Sequence, residues 1–309
     1  MTPLAAIEAA AAAAPQDPAA WRPALDLLQT GAVGDDACGA AAARSLGAAR
    51  PLRVAVVTPY FRESLDVLRR CHDSVRAQSY PCRHILVADG VGQAAIDAWD
   101  AEHLRLAAPA ADYGDTPRAK GGEHAAAQGY DAIAWLDADN TLRPHHVASL
   151  VARHAATGAA VVFSGRTLHL PDGRLVPALD PADGRAHIDT SCMLFAGDVA
   201  SMAAVWLAYP RPLSLIDDRL VGRILHARGL RFACTGALTT RYTVNYAYVY
   251  ESLRLPVPAD ARPEFDVGPA ARFLASLGPA EWAGLESTLG SPVVAFLRGL
   301  VAHHGRGPG

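Results

Sequence analysis

The chain has 309 residues, of which 51% are hydrophobic, and it carries a formal net charge of −3. This length can bury a core large enough for one α/β domain with a small appendage. The charge argues against a nucleic-acid partner, no apolar run approaches the ~20 residues of a membrane span, and five scattered cysteines predict reduced thiols in a cytoplasmic protein.

Residues 1–50 are rich in alanine and form three helix-compatible stretches, separated by Pro15–Pro18 and Gly31–Gly34. Their period and turn prolines resemble one tetratricopeptide-type helical hairpin. Because such repeats need neighbours to bury their faces, the pattern also fits a helical extension packed on the next domain. The alternative is an arm that docks a protein partner. The segment lacks a basic start and a strong apolar core, so it does not predict a signal peptide.

Strands and helices alternate from Arg53 onward, which predicts a mostly parallel central sheet flanked by helices. The predicted strands are Val54–Thr58, His84–Ala88, His103–Leu106, Asp131–Asp137 and Ala159–Phe163. The predicted helices between them are Leu65–Gln78, Ala94–Trp99, Arg118–Gln128 and Pro144–Thr157.

After Ser164 the pattern is less regular. It predicts a hairpin with a Pro-Asp-Gly turn at 168–176, helices at 198–208 and 217–228, and a short strand at 231–233. Two or three amphipathic helices follow in the tail. We therefore expect a helical extension at 1–50, an α/β domain at 51–250 and a helical region at 251–309 packed on the core.

The segment Asp131–Asn140 carries the strongest functional signal. A hydrophobic stretch, Ala132–Leu136, leads directly into Asp137 and Asp139. Residues i and i+2 of an extended chain lie on the same side, so the two carboxylates converge, and such a pair is costly without a cation. Open α/β sheets bind ligands at this edge. Although a lone Asp-x-Asp triplet is common in turns, its place after a buried strand predicts a divalent metal that holds a substrate phosphate.

Other candidate ligand-binding residues follow the first two strands. Asp89 is placed to accept hydrogen bonds from a nucleobase or ribose, but Asp-Gly is equally an ordinary turn pair. A small hydroxyl residue and a proline after the first strand expose backbone amides at the same edge. The candidates in this segment are Thr58, Pro59, Tyr60 and Arg62.

The segment Asp112–Gly122 is a glycine-bearing loop that runs into a helix. The helix N-terminus and the cations of Arg118 and Lys120 suit a diphosphate. A solvated first helical turn is the alternative, and it fits Lys120 better than Arg118. The chain has no Gly-x-Gly-x-x-Gly after the first strand and no P-loop motif, so dinucleotide oxidoreduction and P-loop hydrolysis lose their usual support.

Asp217 and Asp218 stand at the start of a predicted helix, where acids cap many helices. One of them could instead remove a proton from an attacking hydroxyl, and Asp218 is preferred because Asp217 is the better cap candidate. His187 and Asp189 are candidates for contact with an acceptor. Arg241 could reach back to the phosphates or could point outward from a strand.

In this order the segments resemble the nucleotide-sugar glycosyltransferases of the GT-A fold, in particular the inverting family 2. The similarity spans residues 53–245, and Gly129–Asn140 is its most specific part. The resemblance implies a nucleotide site, a Mn²⁺ or Mg²⁺ ion and a catalytic base. Carried across by motif, Thr58 and Asp89 would lie at the nucleoside, and Arg118 would lie near the base or the diphosphate. Asp137 and Asp139 would hold the ribose and the metal, and Asp218 would be the catalytic base.

The implied reaction transfers a sugar from a nucleotide-sugar donor, most often UDP-linked, to a glycan, lipid or small-molecule acceptor. The chain has Ala88-Asp89 where the family often has two acids, Asp-Asp where it usually has Glu-Asp, and no histidine that clearly supplies another metal ligand. A sugar-phosphate nucleotidyltransferase is one alternative, although a glycine-rich basic loop does not follow the first strand. A non-catalytic glycosyltransferase-like protein that docks a partner through residues 1–50 is the other.

Overall fold

The computed structural model describes residues 51–176, 187–263 and 266–304. The predicted extension at 1–50, with its predicted docking role, lies outside the described residues. Nine strands of the described part form one sheet. They are β1 (Val54–Tyr60), β2 (Cys82–Ala88), β3 (Glu102–Arg105), β4 (Ala132–Trp135), β5 (Thr141–Leu142), β6 (Val161–His169), β7 (Leu175–Val176), β8 (Met193–Ala196) and β9 (Phe232–Thr243).

Helices lie between and after these strands. They are α1 (Leu65–Arg76), α2 (Asp115–Ala127), α3 (His146–Thr157), α4 (Val199–Ala203), α5 (Asp217–Ala227), α6 (Ala247–Ser252), α7 (Gly268–Ala275), α8 (Pro279–Leu289) and α9 (Ser291–His304). Short 3-10 turns occupy Ala94–Ala98, Thr190–Cys192, Ala204–Leu207 and Arg211–Ile216.

The strand order of the sheet is β3-β2-β1-β4-β8-β6-β9-β5, with β7 paired to β6. β1 runs parallel to β2 and β4, and β2 runs parallel to β3, so the carboxyl ends of these strands meet at one edge. β8 is antiparallel to both of its neighbours, β4 and β6. This strand was not predicted, because Met193–Ala196 is a short, wholly apolar run without a strand periodicity.

Alternate residues of the central strands pack into two separate hydrophobic clusters, one on each face of the sheet. The face towards α2, α4 and α5 carries Ala55, Val57, Ile133 and Trp135. The face towards α1 and α3 carries Val54, Val56, Ala132 and Ala134. Both faces are therefore covered by helices, as the hydrophobic strands predict.

Trp135 is a central residue of the core. It is fully buried, and its ring lies edge-on to Phe195 and Trp206 at centroid distances of 5.4 and 5.3 Å. Such aromatic pairs stabilise a core by about 0.5–1.5 kcal/mol beyond the area they bury. Trp135 closes β4 two residues before Asp137, so this packing fixes the point at which the acidic segment leaves the sheet.

Helix α2 has no room for a side chain at Gly121 or Gly122, which face β1 and α4. A Cβ atom on Gly121 would lie 2.5 Å from Cγ1 of Val57, and one on Gly122 would lie 2.4 Å from Cβ of Ala203. The two glycines lie inside α2, as the predicted helix Arg118–Gln128 implies, although α2 already begins at Asp115. They allow the helix to approach Val57 of β1 and Ala203 of α4.

The predicted hairpin at 168–176 is present, with Leu168 opposite Val176. The predicted strand at 231–233 is too short, because β9 continues to Thr243. The helical C-terminal region packs on the core, since Leu274 and Val293 are buried in the same cluster as Leu220 of α5.

No single helix among the described residues is long and apolar enough to cross a membrane; the bent pair Val199–Leu207 and Arg211–Ala227, at 107°, meets the length and composition criteria together.

Candidate active site

One cavity of about 460 Å³ opens at the carboxyl ends of β1, β2 and β4. Small-molecule sites commonly occupy about 300–1,000 Å³, and this edge is where open α/β sheets bind ligands. The lining residues that matter for its chemistry are Tyr60, Asp89, Tyr113, Arg118, Asp137 and Asp139.

Asp137 lies on a turn after β4 that buried polar groups hold in place. The backbone N–H of Asn140 donates to the carbonyl of Asp137 at 3.0 Å. The Ser191 hydroxyl donates to Oδ2 of Asp137 at 3.2 Å and accepts the side-chain N–H of Asn140 at 2.9 Å. Oδ1 of Asn140 accepts the backbone N–H of Thr243 at 2.8 Å. The acidic turn is thus fixed to the segment before β8 and to the end of β9.

Arg118 is a buried cation surrounded by acids. Its Nη2 donates to Oδ1 of Asp137 at 2.6 Å, and its Nη1 donates to Oδ2 of Asp217 at 3.0 Å. Oδ1 of Asp115 lies 3.8 Å from Nη1. Although burial disfavours its charge, these carboxylates raise the pKa of Arg118 above its ordinary value. The cavity wall therefore carries a fixed positive charge next to Asp137.

Asp139 faces the same cavity but has a different partner. Its Oδ2 accepts from Nη2 of Arg262 at 3.2 Å, and its backbone carbonyl accepts the Thr243 hydroxyl at 2.6 Å. Burial, and then the neighbouring carboxylate of Asp137, raise the pKa of Asp139 to about 6, while Arg262 opposes the shift. Both acids of the triplet thus line one cavity, and the charge of Asp137 disfavours ionisation of Asp139.

These two acids have the chemistry of a Mg²⁺ or Mn²⁺ site. Both offer carboxylate oxygens, the donors these cations prefer, and their side chains are 27% and 31% exposed to the cavity. Arg262, whose Nη2 lies 3.2 Å from Oδ2 of Asp139, has a side chain that is 58% exposed. The carboxylates present are therefore compatible with a divalent cation, which Asp137 and Asp139 would hold.

Asp217 and Asp218 begin α5, and the structure gives them different surroundings. Ile216 holds the N-cap position, so Asp217 is not the cap that the sequence predicts. Oδ1 of Asp217 accepts the backbone N–H of Asp218 at 2.6 Å, while Oδ2 contacts Arg118. Burial raises the pKa of Asp217 well above its ordinary value, against the opposing effect of Arg118.

Asp218 pairs with a histidine. Its Oδ2 lies 2.5 Å from Nε2 of His187, and its Oδ1 accepts the backbone N–H of Arg219 at 2.7 Å. Although burial opposes ionisation, the bond from His187 holds the pKa of Asp218 below its ordinary value. Asp218 is therefore a carboxylate hydrogen-bonded to the imidazole of His187, and it does not belong to the lining of the cavity.

Asp189 completes this second group. It forms an ion pair with Arg166, and its Oδ1 accepts the backbone N–H of Ser191 at 2.9 Å. Burial raises the pKa of Asp189 to about 6. The ligand atoms of His187, Asp189 and Asp218 all lie within 4.8 Å of one another. His187 and Asp189, predicted to contact an acceptor, are thus gathered around Asp218.

The two groups are connected through Arg166. Its guanidinium carbon lies 4.2 Å from the ring centroid of Tyr242, which lines the cavity. Ser191 makes a second connection, because its hydroxyl contacts Asp137 and its backbone contacts Asp189. The acidic triplet and the His–Asp pair therefore belong to one polar assembly.

The first strand contributes less than predicted. Thr58 is fully buried and its Oγ1 lies 2.9 Å from Nε2 of His84, so its side chain does not reach the cavity. This corrects the prediction that Thr58 contacts a nucleoside. Pro59 and Tyr60 do line the cavity, whereas Arg62 is exposed outside the lining.

Asp89 lines the cavity but is only 5% exposed. Its two carboxylate oxygens accept the backbone N–H groups of Ala110 and Ala111 at 2.6 and 3.1 Å. The carboxylate that was predicted to meet a base or ribose is therefore engaged with the chain that follows β3.

Two predicted phosphate contacts lie away from the cavity. Lys120 is exposed and its Nζ lies 2.7 Å from Oε2 of Glu123, because α2 already begins at Asp115 and turns this side chain outward. Arg241 is an exposed residue of β9 opposite Thr141 of β5. Neither cation lines the cavity, which corrects both assignments.

Sequence reasoning missed Ser191, Arg166, Arg262 and Tyr113. Ser191 lies in the short segment that contains the predicted acceptor residues, so its position there was an available signal. Arg262 follows the predicted α/β domain in a stretch without a motif, and only the fold brings it to Asp139.

No protein-family model matches the sequence, and neither does any curated protein. Among solved structures, GalNAc-T7 with UDP, GalNAc and Mn²⁺ is similar at a TM-score of 0.55 and 14% identity, over 84% of this chain and 59% of that one. TarS of S. aureus in complex with UDP gives a TM-score of 0.48 and 12% identity, over 82% of this chain and 88% of that one. The similarity to GalNAc-T7 confirms the predicted GT-A type of α/β fold.

Proposed function

We propose that the protein is a metal-dependent, inverting glycosyltransferase that moves a sugar from a nucleotide-sugar donor to an acceptor hydroxyl. The observation that carries this proposal is the convergence of Asp137, Asp139 and Arg118 on one cavity at the carboxyl edge of the sheet. GalNAc-T7, whose structure contains UDP, GalNAc and Mn²⁺, supports a UDP-linked donor and Mn²⁺ or Mg²⁺ as the cofactor.

The donor diphosphate needs positive charge on the cavity wall. Arg118 supplies a guanidinium that Asp137 and Asp217 hold in place at 2.6 and 3.0 Å. Asp137 and Asp139 would hold the cation, which would supply positive charge to offset the negative charge of the departing nucleoside diphosphate. Ser191 and Asn140 hold the acidic turn in position, so the turn would need little rearrangement when the donor binds.

Asp218 is the proposed base. Burial opposes its ionisation, but the hydrogen bond from His187 holds the pKa of Asp218 below its ordinary value, and the carboxylate would accept the proton of a hydroxyl that attacks the anomeric carbon. In that step the bond from the acceptor oxygen to carbon forms, the bond from carbon to the diphosphate oxygen breaks, and the hydroxyl proton passes to Asp218. Attack opposite the leaving group inverts the anomeric carbon. The acceptor would be a glycan, a lipid or a small molecule.

Release of UDP from UDP-sugars in the presence of Mn²⁺ tests this proposal. Asp218→Asn should lower turnover by about 10²–10⁴-fold with an unchanged Kd for the donor. Asp172→Asn is the matched control, because Asp172 is an exposed carboxylate in the β6–β7 turn that pairs with Arg174 and does not line the cavity. Wild-type turnover by Asp218→Asn would refute the base. Diphosphate release from a nucleoside triphosphate and a sugar phosphate would instead support a nucleotidyltransferase.

A non-catalytic nucleotide-binding protein is the second candidate. The contact between Asp139 and Arg262 favours it, since an arginine already balances this acid. That candidate predicts nucleotide binding that is independent of Mn²⁺, together with no release of UDP from any UDP-sugar.

A further inference from the structure

Tyr113 is a large aromatic side chain left in the open at the cavity. It is 67% exposed and lines the same space as Asp137 and Asp139. Phe61, 40% exposed, lines it as well. Exposed aromatic rings beside a pocket with few convergent charges are typical of surfaces that receive a planar ligand group.

The backbone around Tyr113 is held in an unfavourable conformation. Ala111 and Tyr113 have φ angles of 52° and 57°, in the left-handed region that side chains with a Cβ avoid. Each such residue costs on the order of 1–3 kcal/mol and persists only where surrounding contacts impose it. Backbone strain of this kind is concentrated at ligand-binding sites. Its presence beside the cavity therefore favours a ligand-binding role for Tyr113, the side chain that this loop places in the cavity lining.

Asp89 is the first contact that imposes this conformation. Both of its oxygens accept backbone N–H groups, from Ala110 at 2.6 Å and from Ala111 at 3.1 Å. Because Asp89 is 5% exposed, these bonds form in a poorly solvated place, where charge-assisted hydrogen bonds are strong.

Two arginines hold the other side of the loop. Nη2 of Arg211 donates to the carbonyl of Ala111 at 3.0 Å, and Nη1 of Arg118 donates to the carbonyl of Tyr113 at 3.1 Å. The strained segment is thus fixed from the end of β2, from α2 and from the turn before α5. Arg118 also contacts Asp137, so the position of Tyr113 is connected directly to the proposed cation site.

We infer that Tyr113 stacks on the nucleobase of the donor and that Asp89 holds the loop that presents it, rather than binding the base. The inference rests on the proposed function, because it assigns a residue to the nucleoside half of the same site. Stacking uses the face of a base and not its hydrogen-bonding edge, so Tyr113 would increase the affinity for a nucleoside without selecting one base over another. Each stacked base is worth about 1–3 kcal/mol, which corresponds to about 5–150-fold in Kd.

The test is calorimetric titration of the full chain with UDP and with pyrophosphate, each at saturating Mn²⁺. Tyr113→Gly should weaken UDP by about 5–150-fold and leave pyrophosphate unchanged, while Tyr113→Phe should bind UDP like the wild type. The melting temperature of Tyr113→Gly should not fall, because glycine accepts a positive φ without strain. Tyr248→Ala is the matched control, since Tyr248 is 51% exposed outside the cavity lining, and it should bind UDP normally.

Wild-type affinity of Tyr113→Gly for UDP overturns the inference. An equal loss of UDP and pyrophosphate binding also overturns it, because the ring would then only support the phosphate site. If the wild-type protein binds neither UDP nor another nucleoside diphosphate, the proposed function fails as well. A failure confined to the variant is therefore distinguishable from a failure of the proposed function.

Discussion

Replacement of Arg118 by methionine should be the most damaging single substitution at the site. The guanidinium is 6% exposed and contacts Asp137 and Asp217 at 2.6 and 3.0 Å, with Asp115 at 3.8 Å. Methionine fills much of the volume but leaves these acids without a cation. Removing one partner of a buried ion pair costs about 3–5 kcal/mol. At ~2–4 °C for each kcal/mol, the melting temperature should fall by about 6–20 °C at neutral pH.

The loss of stability in Arg118→Met should be larger at neutral than at acidic pH. Burial raises the pKa of Asp217 well above its ordinary value and that of Asp115 to about 7, and Arg118 opposes both shifts. Without Arg118 both values rise further. A carboxyl whose pKa is higher in the folded than in the unfolded protein contributes most at low pH, and stability is lost as pH rises through that window. The deficit should therefore shrink on acidification.

The assay is calorimetric melting of wild type and Arg118→Met at pH ~7.5 and ~5. Lys120→Met provides the matched control, because Lys120 belongs to the same helix but is exposed and pairs with the exposed Glu123. Its effect should stay within about 0.5 kcal/mol. Melting of Arg118→Met at the wild-type temperature, or a loss of the same size at both pH values, would refute the reasoning.

Three further predictions follow from single contacts. Asp115→Asn should leave stability unchanged near pH ~4 and raise it increasingly towards pH ~7, because burial raises the pKa of Asp115 to about 7 and the folded wild type keeps in this range a proton that its unfolded state has lost. Thermal melts in which the two proteins differ by the same amount at pH ~4 and pH ~7 would contradict it. Gly121→Ala should destabilise by about 1–3 kcal/mol through overlap with Val57, in urea unfolding, whereas Gly284→Ala, with open space around it, should stabilise. His187→Ala should shift the acid limb of the kcat/KM profile to higher pH, because the hydrogen bond that lowers the pKa of Asp218 is lost, and His187→Gln should reverse part of this shift. An acid limb at the wild-type pH in both variants would exclude the role of His187 in lowering the pKa of Asp218.

The edge of the sheet that carries the site could be predicted from local patterns. An apolar strand ending in Asp137 and Asp139, and the alternation of strands and helices, are both properties of neighbouring residues. The same alternation also explains the error at Thr58: it shares a face with Val54 and Val56, so its side chain enters the α1 side of the core. A stricter use of the two-residue period would have excluded it.

The partners of the acids could not be predicted, because they depend on contacts between distant segments. Ser191 lies 54 residues from Asp137, and Arg262 lies 123 residues from Asp139. The insertion of β8 between β4 and β6 is what brings the Ser191 segment to the acidic turn. No periodicity in a single sequence encodes that pairing, since an apolar run of four residues fits many places in a fold.

The central claim is that Asp137 and Asp139 hold a divalent cation together with a nucleoside diphosphate. Titration of the protein with Mn²⁺, with and without UDP, measures it directly through the paramagnetic resonance signal of free Mn²⁺. The account predicts that UDP tightens Mn²⁺ binding to the wild type and that Asp139→Asn abolishes this effect while its fold remains intact. Equal Mn²⁺ binding by the two proteins, with or without UDP, would contradict it.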